Sequence, residues 1–453
     1  MSLTNIAREI DPISPASSLK ELIGQYASEW PVRSLAELEH RHGHPNRVTQ
    51  RFIALNTFLM DTLVSSKPAV NIRDREIGAY TSRYFDLVCL GEVWHSENRK
   101  RLLEQWPDGI YFEHKSGKRS NGRRRAAAAA FNTRGLIAAI LPPGLAQLGA
   151  DAAAAAATDP KTMEMPDSAG LVTISRNLPI IARKFLSYDS ETGVDSLANK
   201  GCLLTVLEVP ADPSSAPSSL HIYNTHLQAG TDRRSRKARA IQVMELAKFI
   251  WRTRNAVRGN WRRPGRPGVN GVIVAGDFNI DRNGRETLDV ASINNQLRDY
   301  PGILRDALTR EIIGEVEFGS PVREKTEYTL LKNVFQSMGL IDLWDWRARS
   351  PGHTSDLDSS GVGEIICRPD PVRAGACSDG YDSESLERAG LKSKSIDYIF
   401  VSKNTRNMGF TMDFVRPSRC RTIRNPTAPE YEDISWLSDH LGVSTRVILS
   451  PRT

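Results

Sequence analysis

Short apolar runs that each break off into polar residues recur along the chain from Arg51 onward: RFIALNTFL, FDLVCLGEVW, GLVTIS, CLLTVLEV, LHIYNTHL, GVIVAGDFN, SIDYIFVS and GVSTRVILS. Each has the length and the bounding residues of a β-strand rather than of a helix. Helical periodicity appears between them at 95–106 (HSENRKRLLEQW) and at 233–252 (RRSRKARAIQVMELAKFIWR), the second apolar along one side and basic on the other. Strands interleaved with helices predict a layered α/β body in which sheets are sandwiched between helices. A further helix is expected at 17–30, where Leu19, Leu22, Ile23, Tyr26 and Trp30 share a face and Ser18 and Glu21 are spaced as a capping box.

A chain of 453 residues, 40% hydrophobic and 25% charged, can bury a sizeable core, which argues against disorder throughout. The net charge of +7 suits an anionic partner: nucleic acid, a phosphorylated substrate or an anionic membrane surface. Cysteines at 89, 202, 367, 377 and 420 are odd in number and form no CxxC pair, against a disulfide framework or a zinc site. The opening MSLTNIAREIDPISPASS lacks a charged stretch followed by an apolar run, and no apolar run is long enough to span a bilayer, so a cytoplasmic location is the default expectation. Residues 1–48 read as an N-terminal helical extension and 49–450 as the main domain, with insertions at about 115–166 and 351–395 and a basic Gly/Pro loop at 253–270. The clusters HRHGHPNR and KSGKRSNGRRR read as solvated loops.

The ends of the strand-like runs deliver acid-base and metal-type side chains. Asn56 ends RFIALN, Glu92 follows FDLVCLG, His226 ends LHIYNTH, and Asp277 and Asn279 follow GVIVAG. Asp397 lies in SIDYIF, and Asp439 and His440 form SDH just before the last run. Singly, each has a bland explanation: a turn cap, a structural histidine, an arginine partner. As a set they offer hard oxygen ligands suited to Mg²⁺ and two imidazoles for acid-base work on a phosphate.

In order along the chain, Asn56, EVW with Glu92, AGLVTISR, DSLANKG, NTHL with His226, GDFN, IDYIF and SDH resemble the endonuclease/exonuclease/phosphatase superfamily, over roughly residues 50–450. That resemblance implies a four-layer α/β/β/α sandwich with two central mixed sheets and the active site at one sheet edge. It implies that Glu92 is the principal ligand of Mg²⁺, with Mn²⁺ an alternative, that Asn56 lies close by, and that Asp439 assists. His440 resembles the family's catalytic histidine, oriented by Asp397. Asp277 resembles the group that deprotonates the attacking water, Asn279 the one that holds a phosphate oxygen, and His226 the second histidine, at the phosphate or leaving oxygen. Apart from the resemblance, phosphodiester attack accumulates charge on oxygens, so a cation and imidazolium donors aimed there would be the main source of rate.

For the substrate, Gln228 and Ala229 after NTHL, the DSLANKG segment with Lys200, and the RxxQ spacing of Arg239 and Gln242 are similar to sphingomyelinases of the superfamily. This implies a phospholipid headgroup phosphodiester, substrate contact by Lys200, and peripheral membrane contact without a transmembrane segment. The alternative is a nuclease, with RRSRKAR and RTRNAVRGNWRRPGRPG tracking a phosphate backbone and Trp251 and Trp261 stacking on bases. A non-catalytic binder of phosphoinositides or protein is a third reading, disfavoured because a binder has no need of His226, His440, Asp277 and Glu92 together.

Overall fold

The computed structural model describes residues 47–59, 70–107, 109–115, 168–192, 195, 198–209, 218–257, 259–264, 268–282, 284, 326–344, 396–415, 417–420, 438, 440 and 442–452. Asp439, the expected helix at 17–30, and nearly all of the insertions at 115–166 and 351–395 lie outside the described residues. In chain order the elements are β1 (Val48–Leu59), α1 (Val70–Tyr84), β2 (Leu87–Val93), α2 (Ser96–Leu103), β3 (Ile110–Lys115), β4 (Ser168–Ser175), β5 (Ile180–Ser187), β6 (Gly201–Glu208) and β7 (Ser219–His226). They continue with α3 (Arg233–Thr253), β8 (Ala256–Val257), β9 (Asn260–Pro264), β10 (Gly271–Asp277), α4 (Glu327–Ser337), β11 (Leu340–Asp342), β12 (Asp397–Ser402), β13 (Phe410–Phe414), β14 (Ser418–Cys420) and β15 (Gly442–Pro451).

All the runs read as strands are strands, and the helices expected at 95–106 and 233–252 form α2 and α3. The stretch 253–270, expected as a loop, contains the small hairpin β8–β9. The strands build a seven-stranded sheet in the order β13-β15-β1-β2-β4-β3, with β14 also on β15, and a six-stranded sheet in the order β11-β12-β10-β7-β6-β5. Both are mixed: β1–β2 and β7–β10 are parallel, the neighbouring pairs antiparallel. Val48 pairs with Leu449, so the first and last described strands lie side by side.

Strand periodicity sorts most of the buried side chains into three large cores, beside a small fourth of Ala169, Leu171 and Leu203. Phe52, Ala54, Leu87 and Cys89 of the first sheet meet Ile222, Ile273, Ala275 and Ile399 of the second. The alternate residues Ile53, Leu55, Val88 and Leu90 pack outward against Ile77 of α1 and Leu102 of α2. On the far side Leu204, Tyr223, Val274 and Phe400 pack against Val243 and Ala247 of α3 and Leu331 and Phe335 of α4. Apolar faces on both sides explain why these strands read as nearly continuous hydrophobic runs. The result is four layers, helices–sheet–sheet–helices, as expected from the resemblance. Asp232 caps α3, accepting from the backbone N–H groups of Arg234 and Ser235 at 2.8 and 3.1 Å.

Candidate active site

The same alternation that builds the central core carries the chemistry into it. Ile273 and Ala275 face the gap between the sheets, so Asp277, two residues further, faces it as well. Leu220 and Ile222 lead in this way to Asn224 and His226 on β7, Phe52 and Ala54 to Asn56 on β1, and Val401 and Ile399 back to Asp397 on β12. In register, Asp277 stands opposite His226 on one side and Asp397 on the other, a row of three across neighbouring strands.

Glu92 breaks the rule. Alternation would place it with Val88 and Leu90 on the helix side, yet its backbone adopts φ 60° and its carboxylate sits 3.1 Å from Asn56 Nδ2. A left-handed glutamate costs about 1–3 kcal/mol and is characteristic of functional sites. Here it turns an outward residue into the gap. Asn56 Nδ2 also donates to Asp277 Oδ2 at 2.9 Å, so one amide links carboxylates from the two sheets. His226 Nε2 lies 3.7 Å from Glu92 Oε1 and 3.6 Å from Asp277 Oδ2. On the other side of Asp277, His440 Nδ1 is 2.8 Å from Asp397 Oδ2 and its Nε2 is 3.9 Å from Asp277 Oδ2.

Two groups of ligand-type atoms result, Glu92–His226–Asp277 and Asp277–Asp397–His440, each gathered within 4.8 Å. Glu92 and Asp277 supply hard carboxylate oxygens, the donor type that fits Mg²⁺ or Mn²⁺. Burial, and then the charge of Asp397, push the Asp277 carboxyl up to about 6, against the easing effect of His440, Lys200 and the Asn279 backbone N–H. An acid near neutrality is suited to act as a base at physiological pH.

Lys200 is buried, and its ammonium reaches Asp195 Oδ2 at 2.9 Å, the Leu227 carbonyl at 2.9 Å and His226 Nε2 at 3.0 Å. An ammonium only donates, so His226 Nε2 accepts and the ring proton resides on Nδ1. Burial, Lys200 and His440 hold this imidazole well below the usual histidine range. It is therefore neutral here, unlike the imidazolium expected from charge development alone, because it is buried and a cation already stands against it. Asn279, at φ 51°, donates its backbone N–H to Asp277 Oδ1 at 2.7 Å and its Nδ2 to the Leu227 carbonyl at 3.1 Å.

Residues without an assigned role in the sequence support these groups. Ser438 Oγ donates to the Asn56 carbonyl at 2.6 Å and accepts from the His440 N–H at 3.1 Å. Phe278, between Asp277 and Asn279, packs edge-on against Phe335, Tyr398 and Phe400. Gly276 has φ 135°, and a Cβ there would stand 2.0 Å from the Thr225 carbonyl, so only glycine lets β10 lie this close to β7. Trp94 lies 5.9 Å from the His226 ring, centroid to centroid. Local spacing carried no signal for these roles except in SDH, where the serine precedes the histidine by two.

No protein-family model matches the chain, and no curated protein matches it. Among solved structures it is similar to beta toxin from Staphylococcus aureus, at 13% identity, covering 87% of this chain and 99% of that one with a TM-score of 0.44. It is similar to D. rerio TDP2 complexed with a single-strand DNA product, at 13% identity, 88% and 98% coverage and a TM-score of 0.42. Sphingomyelinase C from Streptomyces griseocarneus is similar at 14% identity, 89% and 100% coverage and a TM-score of 0.42. Likenesses at this level decide nothing about activity, which rests on the site itself.

Gln228, Arg239 and Gln242, the residues resembling the sphingomyelinase branch, are buried and hold loops together. The Gln228 side chain accepts from the Thr192 N–H and donates to the Thr192 carbonyl, and Gln242 accepts from the Gln228 N–H and donates to the Ser190 carbonyl. Arg239 makes a two-point pair with Glu327 at 2.9 and 2.8 Å and donates to the Gln228 and Gly230 carbonyls. Trp251, a candidate for base stacking, has its ring covered by the Arg254 guanidinium at 4.4 Å. The segment 425–437 before SDH, with Tyr431, Trp436 and Leu437, lies outside the described residues. No described helix is long and apolar enough to cross a membrane.

Proposed function

We propose that the protein is a divalent-metal-dependent phosphodiesterase of the endonuclease/exonuclease/phosphatase superfamily, acting on a phospholipid headgroup in the manner of a sphingomyelinase. One observation carries the reading: Asn56, Glu92, His226, Asp277, Asp397 and His440 arrive from both sheets at one place, with Asn56 Nδ2 bonded to carboxylates of each. Glu92 and Asp277 would hold Mg²⁺ or Mn²⁺ there, and the bound cation would supply charge neutralisation at the phosphate oxygens. With Asp277 at the cation, the His440 Nε2, 3.9 Å from Asp277 Oδ2, takes the proton of the attacking water. Asp397 fixes the His440 ring through Nδ1 and leaves Nε2 toward the reacting group, as in other histidine-carboxylate pairs. The headgroup preference is supported by the DSLANKG and NTHLQAG segments, and the cover over Trp251 disfavours one base-stacking platform for a nuclease.

The test is Mg²⁺-dependent hydrolysis by the purified full chain on sphingomyelin vesicles and on supercoiled plasmid in parallel, with His440→Ala as the blank. Phosphocholine release lost in the mutant supports the proposal; plasmid nicking alone replaces it with a nuclease; silence on both overturns it. His440→Ala, Asp277→Ala and Glu92→Ala are each expected to nearly abolish turnover in a folded protein, and wild-type rates in any of them would remove that residue from the mechanism.

A further inference from the structure

Asn224 has a place in this fold that the hydrolytic reading leaves unassigned. It stands on β7 two residues before His226 and is fully buried. Its side chain leaves its own sheet: Nδ2 donates to the Leu90 carbonyl of β2 and to the Val172 carbonyl of β4, both at 3.0 Å. Leu90 and Val172 are direct partners across the β2–β4 ladder, so a single amide straddles two strands of the opposite sheet.

Packed sheets ordinarily sit about 10 Å apart. Here Cα atoms of β7 come within 8 Å of those of both β2 and β4. The approach is close enough for a short side chain to bridge, and Asn224 supplies the bridge. That choice has a stability penalty, since Asn224 Oδ1 accepts no hydrogen bond among the described residues and a buried unmet acceptor is unfavourable. A leucine would fill similar space without it. What a leucine cannot do is fix the spacing and shear of the two sheets, because apolar contact is not directional. The consequence falls on the site: two residues beyond Leu90 is Glu92, two beyond Asn224 is His226, and these two meet at 3.7 Å.

We infer that Asn224 is a positioning residue that sets the distance between the sheets at the active site, holding the Glu92 strand beside His226 and within reach of a cation shared with Asp277. The inference rests on the metal-dependent reading for its consequence, and on hydrogen bonding alone for the bridge. Asn224→Leu and the smaller, polar Asn224→Ser, made in the full chain, test it with three measurements: thermal unfolding, hydrogen–deuterium exchange of peptides covering 87–94 and 219–227 in metal-free protein, and Mn²⁺ binding by electron paramagnetic resonance well below the unfolding temperature.

Both variants are expected to fold, with exchange in 87–94 about tenfold faster while β13 and β15 are unchanged. Mn²⁺ affinity is expected to fall about 10–100-fold, the effect typical of residues that support metal ligands from behind. Unaltered exchange and unaltered Mn²⁺ affinity in a folded variant would overturn the inference, as would a lower melting temperature with affinity intact. If the wild type binds no Mn²⁺, the metal-dependent reading is what fails, and exchange alone decides whether Asn224 braces the sheets. Should the leucine variant not fold, the serine variant carries the same comparison.

Discussion

Asp277 and Asp397 stand directly opposite each other on β10 and β12, and the His440 ring spans them, with Nδ1 at 2.8 Å from Asp397 and Nε2 at 3.9 Å from Asp277. Like charges in cross-strand register repel. The arrangement persists because the imidazole lies between the two carboxylates, and the residual repulsion is one reason the Asp277 carboxyl is raised.

Replacing Asp397 by Asn should therefore leave the fold intact and remove the acceptor that fixes the His440 ring. The expected result is a fall in kcat of roughly 10³–10⁴-fold, the scale seen when a histidine loses its orienting carboxylate. Steady-state kinetics beside a melting curve check it; a loss of activity matched by a collapse in melting temperature would mean that Asp397 acts only on stability.

Cation and proton should compete at Asp277. Its carboxyl titrates near about 6 in the metal-free protein, so above that pH the ligand is ready and below it a proton must leave first. Mn²⁺ affinity measured by calorimetry should be flat above neutrality and decline by roughly tenfold per pH unit well below 6. In Asp277→Asn the decline attributable to this group should vanish along with most of the affinity.

Arg239 and Glu327 join α3 to α4 through a buried two-point ion pair, and the same guanidinium carries the Gln228 and Gly230 carbonyls. Removing one partner strands the other charge, at a cost of about 3–5 kcal/mol. Arg239→Met should destabilise the protein by that order in denaturant titration. The double variant Arg239→Met/Glu327→Met should recover part of the loss, which a role confined to packing of the arginine stem would not allow.

His221 offers a pH test remote from the chemistry. Burial holds it down to about 3, against 6.5 for an ordinary histidine, with Nε2 on Ser219 Oγ at 3.0 Å. The folded form keeps it neutral while the unfolded chain takes up a proton below about 6.5, so stability is lost as pH falls from there toward 3. Denaturation midpoints between pH 7 and 4 should drop less steeply in His221→Gln; an identical slope would show that other groups dominate acid unfolding.

Eight of the strands, β1, β2, β4, β6, β7, β10, β12 and β15, were legible in the sequence with the polar residues that close most of them, because the breaking of an apolar run is a local property. α1 was not: its inward face includes Arg73, Asp74 and Thr81, and a helix buried through paired polar groups shows little apolar period. Nor was β5, an edge strand with exposed Arg183 and Lys184.

What the sequence by itself determined is the layered α/β body and the type of chemistry at its strand ends. The tertiary structure decided how those ends act together. Asn56 meets Asp277 across 221 residues of chain, Glu92 turns inward through a left-handed backbone that no propensity favours, burial together with Lys200 keeps His226 neutral, and Asn224 ties the sheets at the distance the site requires. Each of these depends on which groups lie within a few ångströms once the sheets close and water leaves, and that proximity is set by packing between segments far apart in the chain.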